Sequence, residues 1–116
     1  MRGRLVAVAV LLAFGGCGKG AAEERAVRGE TVYVRDCARC HMVDGSGVPG
    51  VYPNLAGNPI VTLESPEPVI ETVLEGREAM PAFGGTLPVQ KLAEVMTYIR
   101  GAWGNHASPV TPAQAK

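Results

Sequence analysis

Cys37-Ala38-Arg39-Cys40-His41 is a Cys-x-x-Cys-His run in a chain of 116 residues. On a helix end, two cysteines three residues apart face the same side. They can add across the two vinyl groups of one haem as thioethers, and the adjacent histidine then swings under the iron as an axial ligand. Competing chemistries explain the run less well. A zinc site needs a second ligand pair, and only His106 and Cys17 remain to supply it. A thioredoxin-like redox pair wants a strand-helix-strand context, which the flanking sequence lacks. A plain structural disulfide leaves His41 unexplained.

Outward toward the N-terminus, the chain reads as an address. Arg2 and Arg4 precede an unbroken apolar run from Leu5 to Phe14, followed by Gly15, Gly16 and Cys17. The charged start, short apolar stretch and small residues fit an export signal over residues 1–16. The run is too short to span a bilayer core, which takes about 20 residues. Leu11 to Cys17 resembles a bacterial lipoprotein lipobox, with Phe14 where that pattern prefers Leu. The resemblance implies cleavage before Cys17 and lipidation there, which would tether the domain to a membrane surface. Removing the first 16 residues takes away two of the 11 basic residues. It leaves nine against 11 acidic ones, a net charge of −2.

The rest of the chain divides by pattern. Residues 17–23 are small and polar and read as a tether, and residues 24–105 as the folded domain. A first helix is predicted from about Glu24 to Cys40. Asp44 to Pro59 is so rich in Gly and Pro that it marks a long shaped loop. Ser65-Pro66 is a helix start, Val69, Ile70, Val73 and Leu74 form one apolar face, and Gly76 is a stop. A second loop follows to Thr86. The last helix is predicted over Pro88 to Gly101, with Leu92, Val95, Met96 and Ile99 at helical spacing and Arg100 suited to its dipole. Residues 106–116, rich in Pro and Ala, read as a disordered tail. Long loops inside so small a domain are functional or wrapped around something.

Composition narrows the classes further. One small domain is the ceiling. Balanced charge argues against a nucleic-acid binder, and 47% apolar residues against a disordered chain. Six aromatics is a thin supply of large core-filling groups, a shortage that a covalent haem in the core would answer.

With the haem motif in place, the chain resembles a class I c-type cytochrome of the single-haem bacterial kind. Several motifs in order support this. Gly29 and Tyr33 precede Cys37, Cys40 and His41 as in the family's first helix. Pro53-Asn54-Leu55 matches the proximal loop, Met80-Pro81 with Phe83 the distal loop, and Val95 with Tyr98 the last helix. Trp103-Gly104-Asn105 looks like the ending of members attached to respiratory or dehydrogenase complexes. The resemblance implies an all-α fold, three main helices and long loops wrapped around one covalent haem c. It implies His41 as proximal ligand, with the Pro53 carbonyl accepting its ring N–H.

For the sixth ligand, Met42 follows His41 directly and cannot reach the opposite haem face. Met96 sits on the apolar stripe of the last helix and reads as core, and His106 lies in the tail. Met80, in the loop and followed by Pro81, is favoured with the family match counted. Leu55, Phe83, Leu87, Val95 and Ile99 are pocket candidates. Tyr52 and Trp103 read equally well as haem propionate donors or as packing groups. His/Met ligation fills both axial positions, which argues for electron transfer to redox protein partners rather than catalysis at iron.

Two rival functions stay open on sequence. One is a haem enzyme or gas sensor with a labile sixth ligand; the other is a membrane-anchored interaction module without haem. Glu67, Glu71 and Glu75 recur at i+4, flanked by Glu64 and Glu78, and read either as a solvated helix face or as a steering patch for redox partners.

Overall fold

A computed structural model describes residues 17–116. Residues 1–16, read as the export signal, lie outside the described residues. The described chain forms four helices: α1 (Cys17–Asp36), α2 (Ala38–His41), α3 (Glu67–Glu75) and α4 (Val89–Gly101). Among the described residues there is no strand, only isolated bridges pairing Val48 with Tyr52 and Arg77 with Met80. The fold is all-α, as the pattern predicted.

The apolar stripe of α4 carries much of the core. Leu92, Val95, Met96 and Ile99 are all buried there. α1 lies directly against α4, and the crossing is set by Gly29. A Cβ at Gly29 would run into the Glu94 carbonyl and stand 2.9 Å from Tyr98 Cβ, so only glycine admits this approach. The crossing is tied by Glu94, nearly buried, which accepts from Arg28 Nε at 2.9 Å and from Lys91 Nζ at 3.1 Å. Burial raises the Glu94 pKa, but these hydrogen bonds and charges outweigh it and hold the carboxyl below the ordinary glutamate range. Tyr33 and Tyr98 stack beside the crossing with ring centroids 5.5 Å apart.

α3 begins one residue beyond the expected start. Pro66 is its capping residue, and Ser65 Oγ accepts the Glu67 N–H at 3.4 Å. It stops at Gly76, which takes the left-handed φ of 75°. Val69 and Ile70 turn inward, while Glu67, Glu71 and Glu75 are exposed.

Three readings need correction. Residues 17–23, read as a tether, are helical and continue into α1. The first helix does not run unbroken to Cys40, because it ends at Asp36 and α2 restarts at Ala38. Residues 106–116, read as a disordered tail, fold back onto α4. Val110 and Ala115 are buried, and Thr97 Oγ1, which donates to the Ala93 carbonyl at 2.7 Å, accepts the Val110 N–H at 3.0 Å. The hydroxyl's free lone pairs thus give the buried tail amide its partner.

No helix among the described residues is long and apolar enough to cross a membrane.

Candidate haem site

The space between α3, α4 and the end of α1 is a cavity of about 510 Å³. That is within the range of about 300–1,000 Å³ usual for cofactor sites. Its walls are Val69 and Val73 from α3, Val95, Met96 and Ile99 from α4, and Phe83 and Leu87 from the connecting loop. Cys37, Cys40, His41, Tyr52, Pro53, Leu55 and Met80 all line it as well. Residues far apart in sequence thus converge on one apolar space.

The proximal side is built by backbone. Cys37 sits at the break between helices, where its N–H still reaches the Tyr33 carbonyl at 2.9 Å. α2 then carries Cys40 and His41 to the cavity and ends where Met42 takes a φ of 66°. His41 Nδ1 lies 2.9 Å from the Pro53 carbonyl oxygen. A carbonyl only accepts, so Nδ1 carries the proton and Nε2 keeps its lone pair free. Gly47 makes the approach possible: its N–H donates to the His41 carbonyl at 2.9 Å, and a Cβ there would strike the Pro53 carbonyl. Asn105, buried, anchors the same loop from the end of α4. Its amide donates to the carbonyls of Leu55 (3.1 Å) and Ile99 (2.9 Å) and accepts the Gly57 N–H at 2.8 Å.

The distal side is built around Met80. Arg77 and Met80 exchange backbone hydrogen bonds of 3.1 and 2.8 Å, closing a tight turn. Phe83 N–H donates to the Val73 carbonyl at 2.9 Å and Gly84 N–H to that of Leu74 at 3.1 Å. The loop is therefore fastened to the last carbonyls of α3, which a helix end leaves unpaired.

The Cys37 thiol does not suit redox or zinc chemistry. Burial pushes the Cys37 thiol up to about 11, and Asp36 and Cys40 add to the rise. Reactive thiols have the opposite shift. Among the described residues, no three His, Cys, Asp or Glu side chains converge to hold a metal ion. The donor set instead fits haem c: two thiols and an imidazole with a bare Nε2 at one wall, a thioether at the lining, and apolar walls throughout.

One candidate falls elsewhere. Trp103 does not line the cavity. It packs behind it, 5.0 Å from the Tyr33 ring, with Nε1 donating to the Val43 carbonyl at 3.1 Å. It follows the end of α4 with a left-handed φ of 53°. The structural roles of Asn105 and Arg100 had no legible sequence signal beyond their place near the end of α4.

An all-helical shell, a Cys-x-x-Cys-His run at its cavity and a backbone-anchored histidine define a c-type cytochrome domain. Residues 24–99 match the family described as cytochrome c oxidase, cbb3-type, subunit III, and the chain belongs to this family of cytochrome c domains. It is similar to the cytochrome c subunit of alcohol dehydrogenase (quinone) from Gluconacetobacter polyoxogenes, with 38% identity over 92 residues, covering 70% of this chain and 20% of that protein. It is similar to the gluconate 2-dehydrogenase cytochrome c subunit of Pantoea cypripedii, with 38% identity over 98 residues, covering 74% and 22%. Cytochrome c6 of Rippkaea orientalis is 33% identical over 81 residues, covering 64% and 68%. The chain thus spans about a fifth of the length of the dehydrogenase subunits it matches. It is an electron-transfer domain with one covalently bound haem c.

Proposed function

We propose that this domain carries one electron at a time as a non-catalytic redox unit, with His41 and Met80 as the axial ligands of its iron. The observation that supports this most is the His41 Nδ1 to Pro53 carbonyl bond at 2.9 Å, made at the wall of a cavity that Cys37, Cys40 and Met80 also line. Cys37 and Cys40 supply the two thioether sulfurs. His41 presents Nε2 to the iron because Pro53 holds its other nitrogen. Met80 is held by the Arg77 turn and by the α3 carbonyls, and it offers a neutral thioether that favours the reduced state. When bound, the haem supplies the Fe(II)/Fe(III) couple. Apolar walls keep water from the site, and the exposed side chains of Val51 and Ile60 at its margin give a partner close approach.

The partners of this reading are redox proteins, a quinone-linked dehydrogenase or an oxidase. The similarity to dehydrogenase cytochrome subunits supports the first. Residues 1–16 would direct export, and Cys17, at the head of α1, would bear a lipid anchor on the outer face of a membrane.

Two measurements test the proposal. The purified holoprotein should show a c-type spectrum, a covalent haem mass and a near-infrared Met-to-Fe(III) band. Met80→Ala should lose that band and bind carbon monoxide when reduced. A wild-type protein without the band that binds carbon monoxide would instead be the sensor or enzyme with a labile sixth ligand. Mass spectrometry of membrane-extracted protein should give a diacylated Cys17; an unmodified Cys17 would overturn the anchor.

A further inference from the structure

Tyr33 and Trp103 lie behind the cavity, yet both bind the backbone that leaves His41. Tyr33 Oη donates to the Met42 carbonyl at 2.6 Å, and Trp103 Nε1 donates to the Val43 carbonyl at 3.1 Å. Tyr33 is fully buried, and burial pushes its phenol well above the ordinary value. The two rings sit 5.0 Å apart, each 5.5 Å from Tyr98, so they form one cluster. Met42 and Trp103 both have left-handed φ values, 66° and 53°. For residues other than glycine such a conformation is strained, and it persists only where surroundings enforce it.

The strip after Val43 leads from this cluster to the proximal bond. The Trp103 ring lies against Gly45 so closely that a Cβ there would stand 2.5 Å from its Cζ3. The Gly45 carbonyl accepts the N–H groups of Leu55 at 2.7 Å and Ala56 at 3.1 Å. Gly47 then bonds to the His41 carbonyl and packs on the Pro53 carbonyl. One strip thus supports both ends of the His41–Pro53 bond, and Tyr33 and Trp103 hold its start.

We propose that Tyr33 and Trp103 are positioning residues for the proximal ligand, holding residues 42–45 so that the Pro53 carbonyl keeps its bond to His41 Nδ1. This rests on His41 being the proximal ligand. A carbonyl acceptor on Nδ1 raises imidazole basicity, and a more basic imidazole favours Fe(III). Loosening the strip weakens that bond and shifts the equilibrium toward Fe(II).

The test uses holoprotein carrying Tyr33→Phe, which keeps the ring and removes its donor, Trp103→Phe, which keeps an aromatic ring but removes the donor and the indole edge against Gly45, or both. Each single variant should shift the redox equilibrium two- to fivefold toward Fe(II), about 20–40 mV for one electron. Exchange of the His41 Nδ1 proton, followed by NMR, should quicken about tenfold, and the double variant should exceed either. Thr97→Val, which loses the tail contact without touching the strip, controls for general loosening. Unchanged potential and exchange in both single variants would overturn the proposal, as would equal shifts in Thr97→Val. If the wild-type ferric protein shows no hyperfine-shifted His41 ring resonances, the ligation reading itself fails and this proposal falls with it.

Discussion

The guanidinium of Arg100 donates to the Leu63 carbonyl at 2.7 Å from a position with no solvent exposure. It also reaches the carbonyls of Val61 (2.9 Å), Ser108 (3.0 Å) and Glu64 (3.4 Å). No carboxylate pairs with it among the described residues. Burial lowers its pKa from the ordinary value, but guanidinium stays charged, so four carbonyl dipoles take the place of a counter-ion. α4 is thereby joined to the segment entering α3 and to the C-terminal return.

Arg100→Met keeps an apolar stem, removes the guanidinium and strands those carbonyls. It should destabilise the holoprotein by about 2–4 kcal/mol, read as a lower urea midpoint. Arg100→Lys should recover less than half of that, because an ammonium cannot span the same fork of acceptors. An unchanged midpoint in Arg100→Met would show that the clamp contributes nothing.

The C-terminal return is the second test. Val110 is fully buried, and Thr97 Oγ1 accepts its N–H. Truncation after Asn105 exposes that apolar contact, removes the Ser108 acceptor from Arg100 and leaves Thr97 with a single partner. The expected loss is about 2–3 kcal/mol, since burying one Val is worth about 1.5–3 kcal/mol. The intact protein should also resist proteases across residues 107–112. Free removal of the tail without a change in thermal midpoint would make the contact idle.

These two features mark where sequence reading stopped. The haem motif is local, so Cys37, Cys40 and His41 were legible from spacing and chemistry. The start of α3 and the apolar stripe of α4 were legible because Pro66, Gly76 and the spacing of Leu92 to Ile99 are helix signals by themselves. Arg100 near a helix end reads as a partner of the dipole, and nothing in its neighbours announces carbonyls 36 to 39 residues away. The tail misled for a related reason. Pro- and Ala-rich sequence lacks a periodic face, yet buried Val110 and Ala115 and the bonds to Thr97 and Arg100 dock it. Trp103 reads equally as a propionate donor or a packing group on sequence, and only its contacts with Tyr33 and the Val43 carbonyl decide for packing.

Acid should undo the Glu94 tie between α1 and α4. Its carboxyl is held below the ordinary glutamate value of 4.5 by Arg28 and Lys91, against the opposing effect of burial. A depressed carboxyl stabilises the fold at every pH above that value, and the contribution is lost as pH falls through the lower folded pKa. Arg28 and Lys91 are each about half exposed, so solvent screens both bonds and the contribution is modest, about 1 kcal/mol. Glu94→Gln should lose that amount at pH 7 and flatten the decline in stability as pH falls below 4.5. Parallel urea-midpoint curves for the two proteins across that range would contradict it.

Haem attachment should decide whether the chain folds cooperatively. Leu87, Val95, Met96 and Ile99 are buried but line the cavity, with Phe83 half-buried beside them, so much of the core faces the cofactor rather than another helix. A group that binds only the folded state stabilises it by mass action, and a covalent one does so at every protein concentration. Cys37→Ala/Cys40→Ala removes both attachment points while leaving His41 and the α1–α4 crossing intact. The haem-free double variant should retain helical circular dichroism along α1 and α4 but lose the sharp thermal transition of the holoprotein. Its cavity-lining groups should bind a hydrophobic dye. A cooperative transition at the holoprotein's temperature would show that the helices pack without the cofactor, and would return the scarcity of aromatic residues to being a matter of composition alone.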